Sequence, residues 1–204
     1  VQFGALSPVF RAHGFRSADI VKRFWLYPPH HFEAMRDALR LRLEILPHLY
    51  NGAAAAHAGG PSLLRPLYHE WPAHDDAYTH PGEYLLGDGV IAAPVTAPFS
   101  ADAPLAPVKL WVPPGEWALH ATGAAVDGPA SVDLRVALDE IPILVRAGSV
   151  LWAQPPPHRE WPHCAKGAGG RWLGRAQRRP RCVQASVWMP GSAARAAGSG
   201  GEWS

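Results

Sequence analysis

Cysteine is nearly missing from this chain. Of 204 residues only Cys164 and Cys182 carry a thiol. Two are too few for a disulfide framework, and their separation excludes a CxxC site. Charge is sparse too, at 18% of residues. No apolar run reaches the length of a membrane-spanning helix, nothing has the layout of a signal peptide, and no internal repeat is visible. What abounds is proline and glycine, 22 and 20 of them. With 48% hydrophobic residues, ordinary for a globular protein, that balance predicts turns and short strands rather than long helices. A net charge of +2 implies no partner by itself, but it is unevenly spread. Residues 155–204 hold eight basic and two acidic groups, leaving residues 1–154 at −4.

The opening segment, Val1 to His13, carries the most information. It reads as the end of a buried strand, because Gln2 and Ser7 interrupt an otherwise apolar run. Pro8 cannot donate to a ladder and marks the strand's exit. Arg11 and His13 follow it, two residues apart, and from one loop both can point at a single polar ligand. Gly14 to Pro29 reads as a loop. A helix is predicted from about His31 to about His57, with Phe32, Met35, Leu39, Leu43, Leu46, Leu49 and Tyr50 on its apolar face. Arg36, Arg40 and Glu44 should be wet. Pro47 removes one helical hydrogen bond and should kink or split the helix, and Gly59 and Gly60 should stop it.

Beyond Gly60 short apolar runs alternate with turn signals: Leu63 to Tyr68, Tyr84 to Val95, Val108 to Val112, Ser131 to Val136 and Ile141 to Leu151. This pattern predicts an antiparallel β-sandwich. Pro113-Pro114-Gly115 before Trp117 reads as a hairpin turn, and Trp71, Trp111 and Trp117 as sandwich core. After Trp152 periodicity ends. Residues 155–204 are poor in aliphatic side chains and rich in charge of one sign, and are expected to be disordered. The abrupt change also fits an aberrant tail read from a shifted frame or a retained intron.

Several blocks carry a family resemblance. The first resembles the R-W-x-Q-x-G-A-x-x-P-x-x-R-x-H stretch of glycoside hydrolase family 31, the α-glucosidase and α-xylosidase family. Met35 to Arg42 with Leu46 to Tyr50 looks like the helix outside that family's barrel, and Leu64-Arg65-Pro66-Leu67 like the block at the barrel's end. Glu83 to Asp88 with Ala93-Pro94-Val95, Trp111 to Trp117, and Ile141 to Ser149 are similar to three blocks of the following sandwich. Their order over about 150 residues makes the resemblance specific. It stops near Gln154.

The resemblance implies an α/β plus all-β chain. Residues 1–67 would be the last part of a (β/α)8 catalytic barrel, 68–154 a small proximal C-terminal β-sandwich, and 155–204 a tail. The match starts one residue late and without an initiating Met, so a C-terminal fragment of a larger enzyme is expected. It implies a retaining glycosidase using two carboxylates and no cofactor. The W-x-D-M-x-E and G-D-N segments that carry those carboxylates do not occur here, so the fragment is expected to be inactive alone. The implied partner is a carbohydrate substrate, α-glucoside or α-xyloside, with neither nucleic acid nor membrane. At the His13 position the family's histidine bonds sugar hydroxyls, and Arg11 would brace the loop or pair with a site carboxylate.

Competing readings are weaker. A non-catalytic carbohydrate-binding or accessory module would need no Arg-x-His exit loop. Asp19, Asp75, Asp76 and Asp88 read as surface acids, Asp88 capping a turn beside Gly87 and Gly89. His30 and His31 point apart as neighbours and read as a helix start. Trp25 reads equally as a sugar-pocket wall or as a core or loop anchor. Arg175, Arg178, Arg179 and Arg181 lack the aromatic platform or fold of a nucleic-acid site. Cys164 and Cys182 with His158 and His163 lack paired zinc-ligand spacing.

Overall fold

Two prolines set the first helix. Pro28 is extended (φ −50°, ψ 145°) and Pro29 occupies the first turn of α2 (Pro29–Glu44), where a missing N–H costs nothing. A single turn, α1 (Gln2–Ala5), and a 3-10 turn (Phe24–Leu26) precede it. The computed structural model describes residues 1–13, 23–97 and 105–154, together with the backbone of 184–187. Pro47 splits the helical run as expected, so α3 (Leu46–His57) starts beyond a break at Ile45. A proline at 47 has no N–H for the Leu43 carbonyl. Gln154 adds donors at this break: its Nε2 reaches Leu43 O at 2.7 Å and its backbone N reaches Glu44 O at 2.7 Å. Gly59 then ends the helix with φ +92°.

The buried face of the helices differs from the expected one. Ala34, Ala38, Ile45 and Leu49 are buried, whereas Leu43 and Tyr50 are exposed. Within α2 itself the buried positions are the small Ala34 and Ala38. The break at Ile45 also rotates α3 relative to the register read from one continuous helix.

The remaining strands are β1 (Leu64–Pro66), β2 (Tyr84–Leu86), β3 (Val90–Ala92), β4 (Ala106–Leu119), β5 (Ala125–Val136), β6 (Ile143–Arg146) and β7 (Val150–Ala153). The first six form one antiparallel sheet in the order β1-β2-β3-β6-β4-β5. Leu64–Pro66, expected at the barrel's end, therefore pairs with β2 inside this sheet. Of residues 155–204 the structure describes β8 (Gln184–Val187), which pairs antiparallel with β7. The other expectations for that stretch, including the sites suggested around Cys164, Cys182, His158, His163 and Arg175 to Arg181, lie outside the described residues, as does Asp19.

Alternate side chains of β2, β3 and β6 enter two cores. Tyr84, Leu86, Val90, Ala92, Ile143 and Val145 point to one face, where Leu6, Ile45, Leu49 and Leu63 cover them. Leu85, Ile91 and Leu144 point to the other, against Trp111, Val112 and Trp117 of β4 and Leu67 and Ala77. The second face is thus closed by the sheet's own β4–β5 hairpin. Pro113-Pro114-Gly115 is not the hairpin turn that the sequence suggested. β4 runs through it, and the pairing register shifts between Val112 and Gly115. Proline is tolerated at such a bulge, and the bulge bends the strand. This bend lets Trp111 and Trp117 share one core, each 2% exposed. The Trp117 Nε1 donates to Pro113 O at 3.0 Å.

The bend brings β5 very close to β4. A Cβ on Gly128 would lie 1.9 Å from Pro113 O. Gly128→Ala should therefore destabilise the chain by about 2 kcal/mol or more, through overpacking against rigid backbone. Gly82→Ala, where a Cβ meets nothing within 4 Å, should leave the thermal unfolding midpoint nearly unchanged. Thermal denaturation of the two variants checks this, and equal midpoints would contradict it.

Candidate functional site

The segment expected to be a strand is a helical turn. The Ala5 N–H bonds Val1 O at 2.8 Å and Leu6 N–H bonds Phe3 O at 3.2 Å. Consecutive Ala5, Leu6 and Ser7 are buried, while Val1 and Phe3 are exposed, a helical pattern rather than alternation. No described strand lies beside it, so its backbone groups pair locally instead.

Arg42 fixes the far end of this turn. From α2 its Nη1 donates to the carbonyls of Gly4 (3.3 Å), Ala5 (3.1 Å) and Ser7, and its Nη2 to Pro8 O at 2.9 Å. One guanidinium fork thus takes four carbonyls, three of them around the C-terminal end of α1, where a single helical turn has few donors of its own. Partial burial lowers the Arg42 pKa from its ordinary value, yet arginine keeps its charge. Gln2 ties the same turn to the sheet. Its Nε2 donates to Glu140 O at 3.0 Å and its Oε1 accepts from Val95 N at 2.8 Å. Downstream, Phe10 is pinned against Gly4, where a Cβ would lie 2.7 Å from its ring, and faces Phe24 at 6.2 Å.

Arg11 and His13 follow immediately, both exposed. The strap is thus anchored at Pro8 and Phe10 and leaves these two side chains in solvent. Among the described residues Arg11 makes no ion pair. Trp25 is 68% exposed among the described residues. His30 and His31 do start α2, but their rings lie 4.0 Å apart rather than pointing apart.

Two further polar constellations support the sheet. Arg65 is buried, and its Nη2 reaches Asp88 Oδ1 at 2.8 Å and Glu70 Oε1 at 3.2 Å, while Nη1 donates to Ser62 O at 2.7 Å. Asp88 is therefore an ion-pair partner as well as a turn residue between Gly87 and Gly89. Glu83 is 5% exposed. Its Oε1 accepts from the Trp111 N–H at 2.7 Å, and its Oε2 has no partner. It lines a cleft of about 380 Å³ with Thr79, His80, Thr96 and Lys109. Burial raises the Glu83 carboxyl to about 8, partly offset by the Trp111 hydrogen bond.

Sequence reasoning missed Arg42, Arg65 and Glu83. Arg42 sits among other arginines of a helix, and nothing in the spacing tells which one turns inward. Glu83 carries a faint signal, a carboxylate directly before the apolar run Tyr84-Leu85-Leu86.

Comparison with known proteins now bears on the chain. Residues 1–52 match the sequence model described as Glycosyl hydrolases family 31 TIM-barrel domain, and residues 60–151 match Glycosyl hydrolase family 31 C-terminal domain. The chain belongs to glycoside hydrolase family 31. Among curated family members, α-glucosidase 2 of Bacillus thermoamyloliquefaciens is 31% identical over 154 residues, covering 74% of this chain and 18% of that protein. The α-xylosidase of Saccharolobus solfataricus is 29% identical over 151 residues, with 74% and 20% covered. The chain therefore spans about a fifth of these relatives. In structure it resembles the family 31 α-xylosidase of Xanthomonas citri, with TM-score 0.66 and 28% identity over 76% of this chain and 16% of that one. A Flavobacterium johnsoniae dextranase of the family, solved with isomaltotriose, gives TM-score 0.68 and 25% identity over 76% and 18%. The family 31 fold, a barrel end joined to an antiparallel C-terminal domain, is thus the fold of this chain.

Two outcomes test this geometry. Arg42→Ala should free the strap, so limited proteolysis should cut within residues 8–13 several-fold faster, with little change in near-ultraviolet dichroism from Trp111 and Trp117. Unchanged cleavage would remove Arg42 from its anchoring role. Glu83 has a folded pKa raised above the 4.5 of the free group. Its contribution to stability is thus full below about 4.5 and is lost as pH rises towards about 8. Glu83→Gln keeps the acceptor for Trp111 N–H but cannot ionise. Its melting temperature relative to wild type should rise between pH 5 and pH 8, and a constant difference would contradict the assignment.

Proposed function

We propose that this chain is the C-terminal segment of a retaining α-glycosidase acting on α-glucosides or α-xylosides. In this reading His13 hydrogen-bonds hydroxyls of the sugar at the cleavage position, and Arg11 braces the loop or pairs with a site carboxylate. The nucleophile and the acid–base carboxylate lie on barrel strands outside this chain. Such a pair stands roughly 5–5.5 Å apart in a retaining enzyme, and the segments expected to carry it do not occur in this sequence. The 204 residues alone are then inactive.

The observation that carries the reading is the anchored strap. Residues matching the barrel, Val1 to Gly52, end their first turn under the Arg42 fork and present Arg11 and His13 to solvent. An accessory binding module would account for the match over residues 60–151 alone, and the match over 1–52 weighs against it. Exposed apolar side chains support the same view. Of the twelve large ones exposed among the described residues, eight lie in the first 52: Val1, Phe3, Val9, Trp25, Leu26, Tyr27, Leu43 and Tyr50. A surface that apolar is the kind a further barrel segment would cover. In this reading the division between the parts is put near residue 60, which the pairing of β1 with β2 supports.

Assays with p-nitrophenyl α-glucoside and α-xyloside test the proposal. The 204-residue chain should release no nitrophenol, whereas the full-length gene product should. In that product His13→Ala should lower kcat/KM by about 100-fold, a loss of transition-state contacts, with the melting temperature unchanged. Turnover by the 204-residue chain would place catalytic groups within it. An unaffected His13→Ala variant would remove that residue from the site.

A further inference from the structure

Tyr68 and Tyr78 are stacked in the open. Their rings lie 5.1 Å apart and 7° from parallel, and they are 44% and 54% exposed. Tyr68 belongs to the 3-10 turn Leu67–His69, and Tyr78 to the short helix α4 (Asp76–Thr79). We propose that this pair is a saccharide-binding platform, separate from the strap that carries Arg11 and His13, and that it takes α-linked glucan chains through the C–H face of a pyranose ring. The choice of glucan rests on the glycosidase reading above.

Three features point this way. The rings are held rather than loose. The Tyr78 hydroxyl donates to Pro72 O at 3.1 Å, and the neighbours Leu67 and Ala77 are rooted in the core that contains Trp111 and Trp117. Thr79 Oγ1 donates to Asp76 O at 3.2 Å, closing the end of α4. A platform fixed in advance spends little ordering energy on binding. Second, the patch has the right size and chemistry. Two rings stacked on each other are far too small for a stable protein interface, which needs roughly 800 Å² from each partner, but an outer ring face matches one sugar ring. Third, a pyranose has an apolar face edged by hydroxyls. A tyrosine likewise has an apolar body and a polar tip, and exposed His69 and Asp75, one and three residues from the two tyrosines in sequence, offer a donor and an acceptor. The platform carries no buried charge, so the ligand it suits is neutral.

Native affinity electrophoresis in gels containing soluble starch or dextran tests this, on both the 204-residue chain and the full-length product. Retardation is expected in at least one glucan, and Tyr68→Ala/Tyr78→Ala should need about tenfold more glucan for the same retardation. Both rings are exposed, so the variant should fold, and the single Tyr68→Ser variant gives a milder check if it does not. His13→Ala should remain retarded. Absence of retardation in both glucans, or an unaltered double variant, overturns the platform. Retardation lost in His13→Ala but kept in the double variant places glucan at the strap, which overturns the platform and leaves the glycosidase reading standing. Loss of nitrophenyl-glycoside turnover in the full-length protein would strike that reading instead.

Discussion

Everything in this chain hangs on three very short strands buried on both faces. β2, β3 and β6 contribute ten residues, and their alternate side chains serve two separate cores. An antiparallel sheet often leaves one face to water. Here neither face is free, so each needs a cover. The helices α2 and α3 with Leu6 provide one. The bent β4–β5 hairpin provides the other, and it reaches over only because Pro113-Pro114-Gly115 breaks its register. Burying Trp111 and Trp117 offsets the cost of that irregularity, since a large aromatic side chain is worth several kcal/mol in a core.

The candidate site inherits its position from the same packing. Arg42 reaches the carbonyls of α1 from between two buried residues, Ala38 and Ile45, the second of which packs in the core against the sheet. Gln2 and Tyr84 then tie the turn to the sheet from the other side, Tyr84 Oη donating to Leu6 O at 3.5 Å. The strap is held by hydrogen bonds to backbone atoms, which specify path rather than side chain. That arrangement suits a loop whose exposed residues do chemistry on a rigid support.

Much of this was legible in the sequence. Alternation of apolar residues with Gly and Pro gave the strands after residue 60, and Pro47 gave the helix break, because both are local effects. The family blocks gave the fold, because they fix long-range order that periodicity cannot. Three things were not legible. The helical turn at Gln2–Ala5 looked like a strand because short apolar runs carry no period of their own. Pro113-Pro114-Gly115 looked like a turn because the same residues serve bulges and turns. Finally, the inward rotation of Arg42 and Arg65 depends on which carbonyls the fold leaves vacant, and no local pattern encodes that.

The pairing of Gln154 with the break at Pro47 has a wider meaning. Gln154, directly after β7, donates to the end of a helix more than a hundred positions earlier. The two regions that match separate family domains are therefore not interchangeable cassettes. Grafting residues 60–154 onto another barrel would take the Gln154 hydrogen bonds to the Leu43 and Glu44 carbonyls out of register unless the new helix broke at the same place.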